Sequence, residues 1–356
     1  MTKGRSIRLF LADGSPGGII TAEIMNWTGH VMNAPRSRLA DLIQRPEAGR
    51  TGIYILSGTD PDGGYKPLVY VGETDSVGKR LAQHNKDEAK EFWEQTCVVT
   101  SKDQNLTKAH ARYLESRLIA IATEAGRVKL TNSTAPELPL LPEADVSDME
   151  YFIEQLRVVL PVLGLDVLKD TSLRRPTEAG MPVTSKPGPR ESGHRAVRQG
   201  ALDLGHELFN RSSAQEVFYG LPPSLPTGDE SPDMGGEDVF ELRDRKSGGC
   251  AYAYETESEF VVVTGSFARA DSPDSFNSYR NLRQSLKDDG TLRPNDGCFV
   301  FTRDTAFRSP SAASAVILDR NDNGRTSWRL KGKRGTTYAD WQEAQIAAVT
   351  PAEAEE

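Results

Sequence analysis

Short apolar runs separated by turn-forming residues dominate the first third of the chain. Runs of four to eight such residues between Asp, Gly and Pro clusters are typical of strands. Two runs joined by a turn-rich insert predict a β-hairpin with a long loop, in which Tyr54 and Tyr70 lie side by side on one face. The predicted strands in this part of the chain are 7–11, 19–24, 52–56, 68–72 and 96–100.

Apolar residues at spacings of three and four predict helices between and after these strands. Thr107 is the expected N-cap of one helix, and Gly126 is its expected C-terminal glycine. Ser147 and Glu150 form a capping-box pattern at the start of another, and Pro161 is expected to kink or end it. The predicted helices are 37–43, a polar stretch at 86–92, 107–124 and 148–163.

The pattern changes after residue 169 and becomes ordered again near residue 239. Residues 171–200 hold six basic against two acidic side chains among scattered Pro, Gly and Ser. A segment of this kind cannot bury enough apolar surface to fold alone, so we predict a flexible linker; the alternative is an arm that contacts phosphate. Ser309 and Pro310 predict a helix start. The later elements are strands 239–242, 251–254, 260–264 and 298–301 and helices 275–287 and 309–318.

These patterns together predict an α+β fold with several parts. The first part is an N-terminal β-hairpin and helix lobe, and the second is a small antiparallel sheet flanked by helices. A Pro-, Gly- and Arg-containing linker, a second small α+β domain and an acidic tail follow. The predicted boundaries are 1–48, 49–169, 170–236, 237–346 and 347–356.

Composition narrows the classes of function. Hydrophobic residues make up 37% and charged residues 26% of the 356 positions, which is ordinary for a globular protein. The three cysteines are far apart and the five histidines are scattered, so there is no zinc signature. Free thiols, with neither a signal peptide nor a membrane span in the pattern, lead us to expect a cytoplasmic protein. The formal net charge of −8 counts against tight, non-specific binding to DNA.

Side chains that could take part in catalysis or bind a metal follow the predicted hairpin at fixed spacing. Arg80 and His84 come one helical turn apart after the second strand, and Glu115 lies on the helix predicted at 107–124. Glu115 shares its helix face with Ala111, Leu118 and Ile119, so its carboxylate faces a desolvation cost unless it is paired or binds a metal. This placement makes Glu115 a candidate metal ligand.

The order of these residues resembles that of the GIY-YIG nucleases. Gly-Ile-Tyr at 52–54 matches the first signature, and Tyr-Val-Gly at 70–72 matches the second with Val in place of Ile. Arg80, His84, Glu115 and Asn132 then follow at the family's approximate spacing. The resemblance covers about residues 50–135, and the loop between the two tyrosines is longer than is usual in the family.

The resemblance implies a metal-dependent DNA endonuclease that hydrolyses phosphodiester bonds at a single site. Glu115 would be the single ligand of Mg²⁺ (or Mn²⁺), and Arg80 would stabilise phosphate oxygens. Tyr54 would orient or deprotonate the attacking water with help from His84 or the metal, because a phenol is a poor base at neutral pH. The substrate would be DNA, which could be duplex, branched, damaged or modified; the sequence does not separate these forms, or DNA from RNA. The implied site is Tyr54, Tyr70, Arg80, His84, Glu115 and Asn132.

Two further hypotheses remain open at the level of sequence. In the first, the protein is not a nuclease but a non-catalytic or partner-dependent module that binds nucleic acid, and the acidic net charge favours this hypothesis. The second concerns the C-terminal residues. Residues 239–345 resemble a small uncharacterised domain that often follows GIY-YIG modules. That domain could also recruit a protein partner. Asn132 is expected to orient either a phosphate or the hairpin.

Overall fold

The structure, a computed structural model, describes residues 4–60, 66–103, 105–133, 136–169, 238–271 and 279–350. The linker predicted at 170–236 lies outside the described residues, as do most of the acidic tail and the middle of the long hairpin loop. Helices and strands are mixed throughout, and the fold class is α+β, as predicted. None of the described helices is both long enough and apolar enough to cross a membrane.

A seven-stranded sheet organises the described residues up to 169. Its order is β1-β2-β3-β6-β4-β5-β7, and every pair is antiparallel except β5 with β7. Strand β3 pairs with β6 over seven residues, so the strands of the N-terminal lobe extend the sheet of the region that follows. The strands are β1 Ile7–Leu11, β2 Ile20–Ile24, β3 Gly29–Pro35, β4 Gly52–Gly58, β5 Leu68–Thr74, β6 Gln95–Ser101 and β7 Lys129–Leu130.

Two hydrophobic clusters lie on opposite faces of this sheet. Ile53 and Ile55 of β4 point into a cluster with helices α3 and α4, whereas Tyr54 and Leu56 point into a cluster with α1 and α2. Because side chains alternate along a strand, burial of both faces requires the continuous apolar run that marks β4 in the sequence. The helices are α1 Leu39–Gln44, α2 Val77–Asn85, α3 Lys108–Ala125 and α4 Glu143–Val162.

Helix α3 is capped as its sequence predicts. The Thr107 hydroxyl accepts a hydrogen bond from the His110 backbone N–H, and Gly126 adopts the left-handed conformation with φ 61°. Helix α4 corrects the prediction, because it begins at Glu143 directly after Pro142 rather than near residue 148. Ser147 and Glu150 are therefore inside the helix, and the Glu150 carboxylate binds Tyr113 and Arg117 instead of capping.

Two other helix predictions also differ from the structure. The stretch 86–92 contains only a short 3₁₀ helix at Glu88–Lys90, because Asp87 caps it and the chain then turns into β6. The helix predicted at 275–287 is described from Arg280 to Asp288; residues 275–278 of that prediction lie outside the described residues.

Two smaller sheets with helices packed on them form the part of the chain here called the C-terminal module (238–271 and 279–350). Its sheets have the orders β14-β10-β9-β8-β15 and β11-β13-β12. Helix α6 begins as predicted, with the Ser309 hydroxyl accepting from the Ala312 backbone N–H and Pro310 in the first turn. The last helix of the C-terminal module ends at Val349, whereas the predicted boundary of this domain is residue 346.

The described residues of the C-terminal module form eight short strands and four helices. They are β8 Val239–Arg243, β9 Cys250–Glu255, β10 Phe260–Val262, β11 Phe267–Ala268, β12 Leu292–Asn295, β13 Cys298–Phe301, β14 Thr305–Phe307 and β15 Arg329–Leu330. The helices are α5 Arg280–Asp288, α6 Pro310–Leu318, α7 Gly324–Ser327 and α8 Tyr338–Val349.

Candidate active site

Strands β4 and β5 bring the two tyrosines together. Tyr54 pairs across the ladder with Gly72 and Leu56 pairs with Tyr70, so the tyrosines are diagonal neighbours on one face. Their ring centroids lie 6.1 Å apart. A Cβ at Gly72 would lie 2.3 Å from the Tyr54 hydroxyl oxygen, so the absence of a side chain at this position makes room for the Tyr54 ring.

His84 completes an aromatic group with these rings. His84 lies on α2, and its ring centroid is 5.5 Å from the centroids of both tyrosine rings. Its Nε2 is 2.8 Å from the Tyr54 hydroxyl oxygen. Burial, together with the charges of Arg80 and Lys90, lowers the pKa of His84 to about 4. The imidazole is therefore neutral at pH 7. The geometry fits a proton on Nδ1, which lies 3.9 Å from the Asp87 carboxylate, and an Nε2 that accepts the hydrogen bond from Tyr54.

Burial also raises the pKa of Tyr54, with the neighbouring Tyr70 as a smaller cause. The phenol therefore keeps its proton at neutral pH and does not act as a base by ionising first. With the His84 proton on Nδ1, the Tyr54 hydroxyl donates its proton to the neutral His84 Nε2. A proton can then reach the Tyr54 oxygen as the original one passes to the imidazole.

Arg80 lies one turn before His84 on α2 and is exposed. The Tyr54 hydroxyl beside it raises the pKa of its guanidinium, and one of its nitrogens donates to the Gln83 side chain at 3.2 Å. A permanently charged, solvent-accessible donor beside the tyrosine pair is well placed to meet an anionic oxygen.

Glu115 lies on α3, half-buried. Burial raises the pKa of Glu115 to about 7, and the negative charge of Glu73 adds to this effect. Glu73 directly follows the second signature, and its carboxylate lies 3.0 Å from the Lys108 ammonium. The sequence interpretation missed Glu73, although its place next to Gly72 was a signal that it would lie at the same end of the hairpin.

The carboxylates fit a loosely held hard cation better than a closed metal centre. Among the described residues, no three His, Cys, Asp or Glu side chains come together as a metal-binding group. Mg²⁺ commonly takes only one or two carboxylates from the protein and completes its shell with water and substrate phosphate. A cation beside Glu115 would also offset the repulsion between Glu115 and Glu73 that the raised pKa of Glu115 reflects.

Asn132 acts on the hairpin itself. Its side-chain oxygen accepts from the Val71 backbone N–H at 3.1 Å, and its side-chain nitrogen donates to the Val71 carbonyl at 2.7 Å. The amide therefore continues the ladder along β5 in place of a neighbouring strand. Of the two roles expected from sequence, this contact supports orientation of the hairpin.

Lys90 is a second residue that sequence reasoning missed. Its ammonium lies 3.6 Å from the centroid of the Tyr70 ring, on the short 3₁₀ helix between α2 and β6. Burial lowers the pKa of Lys90. Residues 86–92 gave no signal for this, because a polar stretch in sequence is most often an exposed surface.

An open depression with a volume of about 410 Å³ lies at Arg80, and Glu73 and Lys108 are among its other lining residues. Its walls carry both cations and carboxylates. An open, charged depression suits a chain of phosphates better than an enclosed apolar ligand.

Comparison with known proteins informs only the C-terminal module. Residues 241–342 match a family model described as a domain of unknown function, DUF4357. The match agrees with the uncharacterised domain predicted there, and it does not extend to residues 49–169. Neither the curated proteins nor the solved structures gave a match. The resemblance of residues 50–135 to GIY-YIG nucleases therefore stays a prediction from the motifs.

Proposed function

We propose that the protein is a metal-dependent endonuclease that hydrolyses phosphodiester bonds in DNA. The observation that carries the proposal is the cluster of Tyr54, Tyr70 and His84, with a 2.8 Å contact between the Tyr54 hydroxyl and His84 Nε2, next to the exposed Arg80. The positive charge of Arg80 acts to lower the pKa of Glu115, so the two side chains are near enough to interact electrostatically. The motif order of the GIY-YIG nucleases supports the same assignment.

The chemistry follows from what these side chains hold and move. Glu115 and the substrate phosphate would hold Mg²⁺ or Mn²⁺, which would supply Lewis acidity and a polarised water. As the water oxygen bonds to phosphorus, its proton passes to the Tyr54 oxygen, and the Tyr54 proton passes to His84 Nε2. Arg80 pairs with the non-bridging oxygens as negative charge grows there. The bond to the 3′ oxygen breaks, and that oxygen takes a proton from solvent.

The first experiment is cleavage of labelled duplex, nicked, branched and single-stranded DNA with Mg²⁺ or Mn²⁺, beside Glu115→Gln. We expect metal-dependent cutting by the wild type and a loss of about 10³-fold in the variant, because the charge that attracts the cation is gone. Glu124→Gln, the same change at an exposed position near the far end of α3, is the matched control and keeps its activity. Equal cutting by wild type and Glu115→Gln would refute the assignment.

The second candidate is a nucleic-acid-binding or regulatory module that does not cut alone. The formal net charge of −8 favours it, since an acidic chain gains little from non-specific attraction to phosphate. Metal-independent binding to one of these DNAs without cutting, by a wild type with a cooperative unfolding transition, would support it over the nuclease.

A further inference from the structure

The C-terminal module contacts the end of the helix that carries Arg80 and His84. Arg325 of α7 donates through Nη1 to the Asn85 carbonyl at 3.1 Å and through Nη2 to the Asn85 side-chain oxygen at 3.3 Å. Nη1 also donates to the Glu91 carboxylate at 2.6 Å. Asn85 is the last residue of α2 and follows His84 directly, so Arg325 binds the backbone one peptide away from the site.

A second arginine binds the same asparagine from the N-terminal side. Arg36 donates through Nε to the Asn85 side-chain oxygen at 3.1 Å and through Nη1 to the Lys90 carbonyl at 3.3 Å. Gln342 of α8 links the two arginines, since it accepts from Arg325 at 3.2 Å and donates to the Arg36 carbonyl at 3.1 Å. The network therefore holds both the end of α2 and the turn that carries Lys90.

The side chains of this network are largely buried. The side chain of Arg325 is 5% exposed and that of Arg36 is 7% exposed, and Glu91 is the carboxylate that both approach. Burial, with the nearby charge of Arg325, lowers the pKa of Arg36 to about 9. Loss of one member of such a network leaves buried groups without partners, so the surrounding backbone has to move.

The apolar packing also crosses between the two parts. Ile346 of α8 is 5% exposed and belongs to the same hydrophobic cluster as Tyr54, Leu81 and Leu42. A residue of the C-terminal module thus packs in the core that seats the site tyrosine. A module that only recruited a partner at the end of a linker would have no need of this shared core.

We propose that the C-terminal module is a built-in support of the candidate site, with Arg325 as a positioning residue that fixes the end of α2 and so the contact between His84 and Tyr54. The consequence for cleavage rests on the proposed nuclease function. The positioning of His84 does not, and it is measured separately. The role assigned here to residues 241–342 differs from recruitment of a partner protein.

The test compares Arg325→Met with Arg320→Met in the full chain. Methionine keeps an unbranched side chain but donates no hydrogen bond. Arg320 is the matched control, because it lies in the same module, is 56% exposed and pairs with Asp322. The two readouts are the kinetics of DNA cleavage and the titration of the His84 imidazole followed by NMR.

In Arg325→Met we expect kcat to fall by about 10- to 100-fold with little change in KM, since a misplaced group slows the reaction more than it weakens binding. The pKa of His84 should rise from about 4 toward that of a free imidazole as the ring loses its fixed place between Tyr54, Tyr70, Arg80, Lys90 and Asp87. A change in packing alone, away from the site, would move neither value.

Arg325→Lys keeps the test usable if the methionine variant does not fold. A lysine restores the charge and one of the contacts but not the pair of hydrogen bonds to Asn85, so both effects should be intermediate. An unchanged kcat or an unchanged His84 pKa in a folded Arg325 variant would overturn the proposal, as would the same losses in Arg320→Met. If the wild type cuts no DNA, the nuclease function fails, and the His84 titration alone decides whether Arg325 positions the ring.

Discussion

The two faces of strand β4 carry alternate side chains of the same run, but one face is apolar and the other includes polar groups of the candidate site. On the α3 and α4 face, Ile53 and Ile55 meet a cluster made of aliphatic and aromatic residues. On the α1 and α2 face, Tyr54 meets His84 and lies in a cluster bordered by the buried Asn85 and Arg36. One face gains stability from buried apolar area, and the other also buries polar side chains that hydrogen-bond to one another, such as Tyr54 with His84 and Arg36 with Asn85.

This contrast teaches that burial alone does not separate a core residue from a site residue. Ile55 and Tyr54 are both 1% exposed. What differs is the atom at the end of the side chain and its neighbour. The Tyr54 hydroxyl contacts an imidazole whose pKa is lowered, and because shifted pKa values cluster at functional sites this contact supports Tyr54 as part of the candidate site. Three measurements sharpen the comparison.

The largest effect is expected from Ile55→Ala on the apolar face. It removes buried methyl and methylene groups from a packed cluster, so the free energy of unfolding should fall by about 3 kcal/mol. Urea denaturation followed by circular dichroism measures this loss. Cleavage per folded molecule should stay within a few-fold of the wild type. A loss of cutting with full stability would show that the two faces are not distinct in role.

Tyr54→Phe makes the reverse change at the neighbouring position. The ring and its packing remain, but the proton path to His84 is gone, so cleavage should fall by about 10²-fold, equivalent to about 2.7 kcal/mol. The free energy of unfolding should fall by only about 1 kcal/mol, for one hydrogen bond. A larger effect on stability than on cleavage would assign Tyr54 to the core.

The third measurement is the pH dependence of stability that His84 adds to its face. The folded pKa of His84, about 4, lies below that of an unfolded histidine, so between these values the unfolded chain binds the extra proton. The contribution of His84 to the free energy of unfolding is therefore fully present above pH 6.5 and is lost as the pH drops toward 4. The loss is about 2 kcal/mol for this partly screened group.

His84→Gln should remove that part of the pH dependence and leave the rest. His30, whose pKa burial also lowers, is present in both proteins, so the difference between the two profiles belongs to His84. Unfolding midpoints in urea from pH 4.5 to 7.5 measure it. Parallel profiles would mean that His84 is not held neutral in the folded protein.

Local patterns predicted much of the fold. Runs of β-formers predicted β4, β5 and β6, and Thr107, Gly126 and Ser309 marked helix ends that the structure confirms. Each of these signals acts within a few residues, through backbone hydrogen bonds and side-chain alternation. The start of α4 was placed five residues too late, because the Ser147 and Glu150 pattern also fits the interior of a helix that begins directly after Pro142.

The sequence by itself determined the α+β class, the order of the site residues and the pair of tyrosines on one hairpin face. Only the tertiary structure decided that the charge of Glu73 acts on Glu115, that Lys90 lies over Tyr70 and that Arg325 binds Asn85. Asn85 and Arg325 are separated by 240 positions along the chain. No local propensity acts over that distance. The pKa values of His84 and Glu115 belong to the same class of result, because burial and neighbouring charges exist only after the chain has packed.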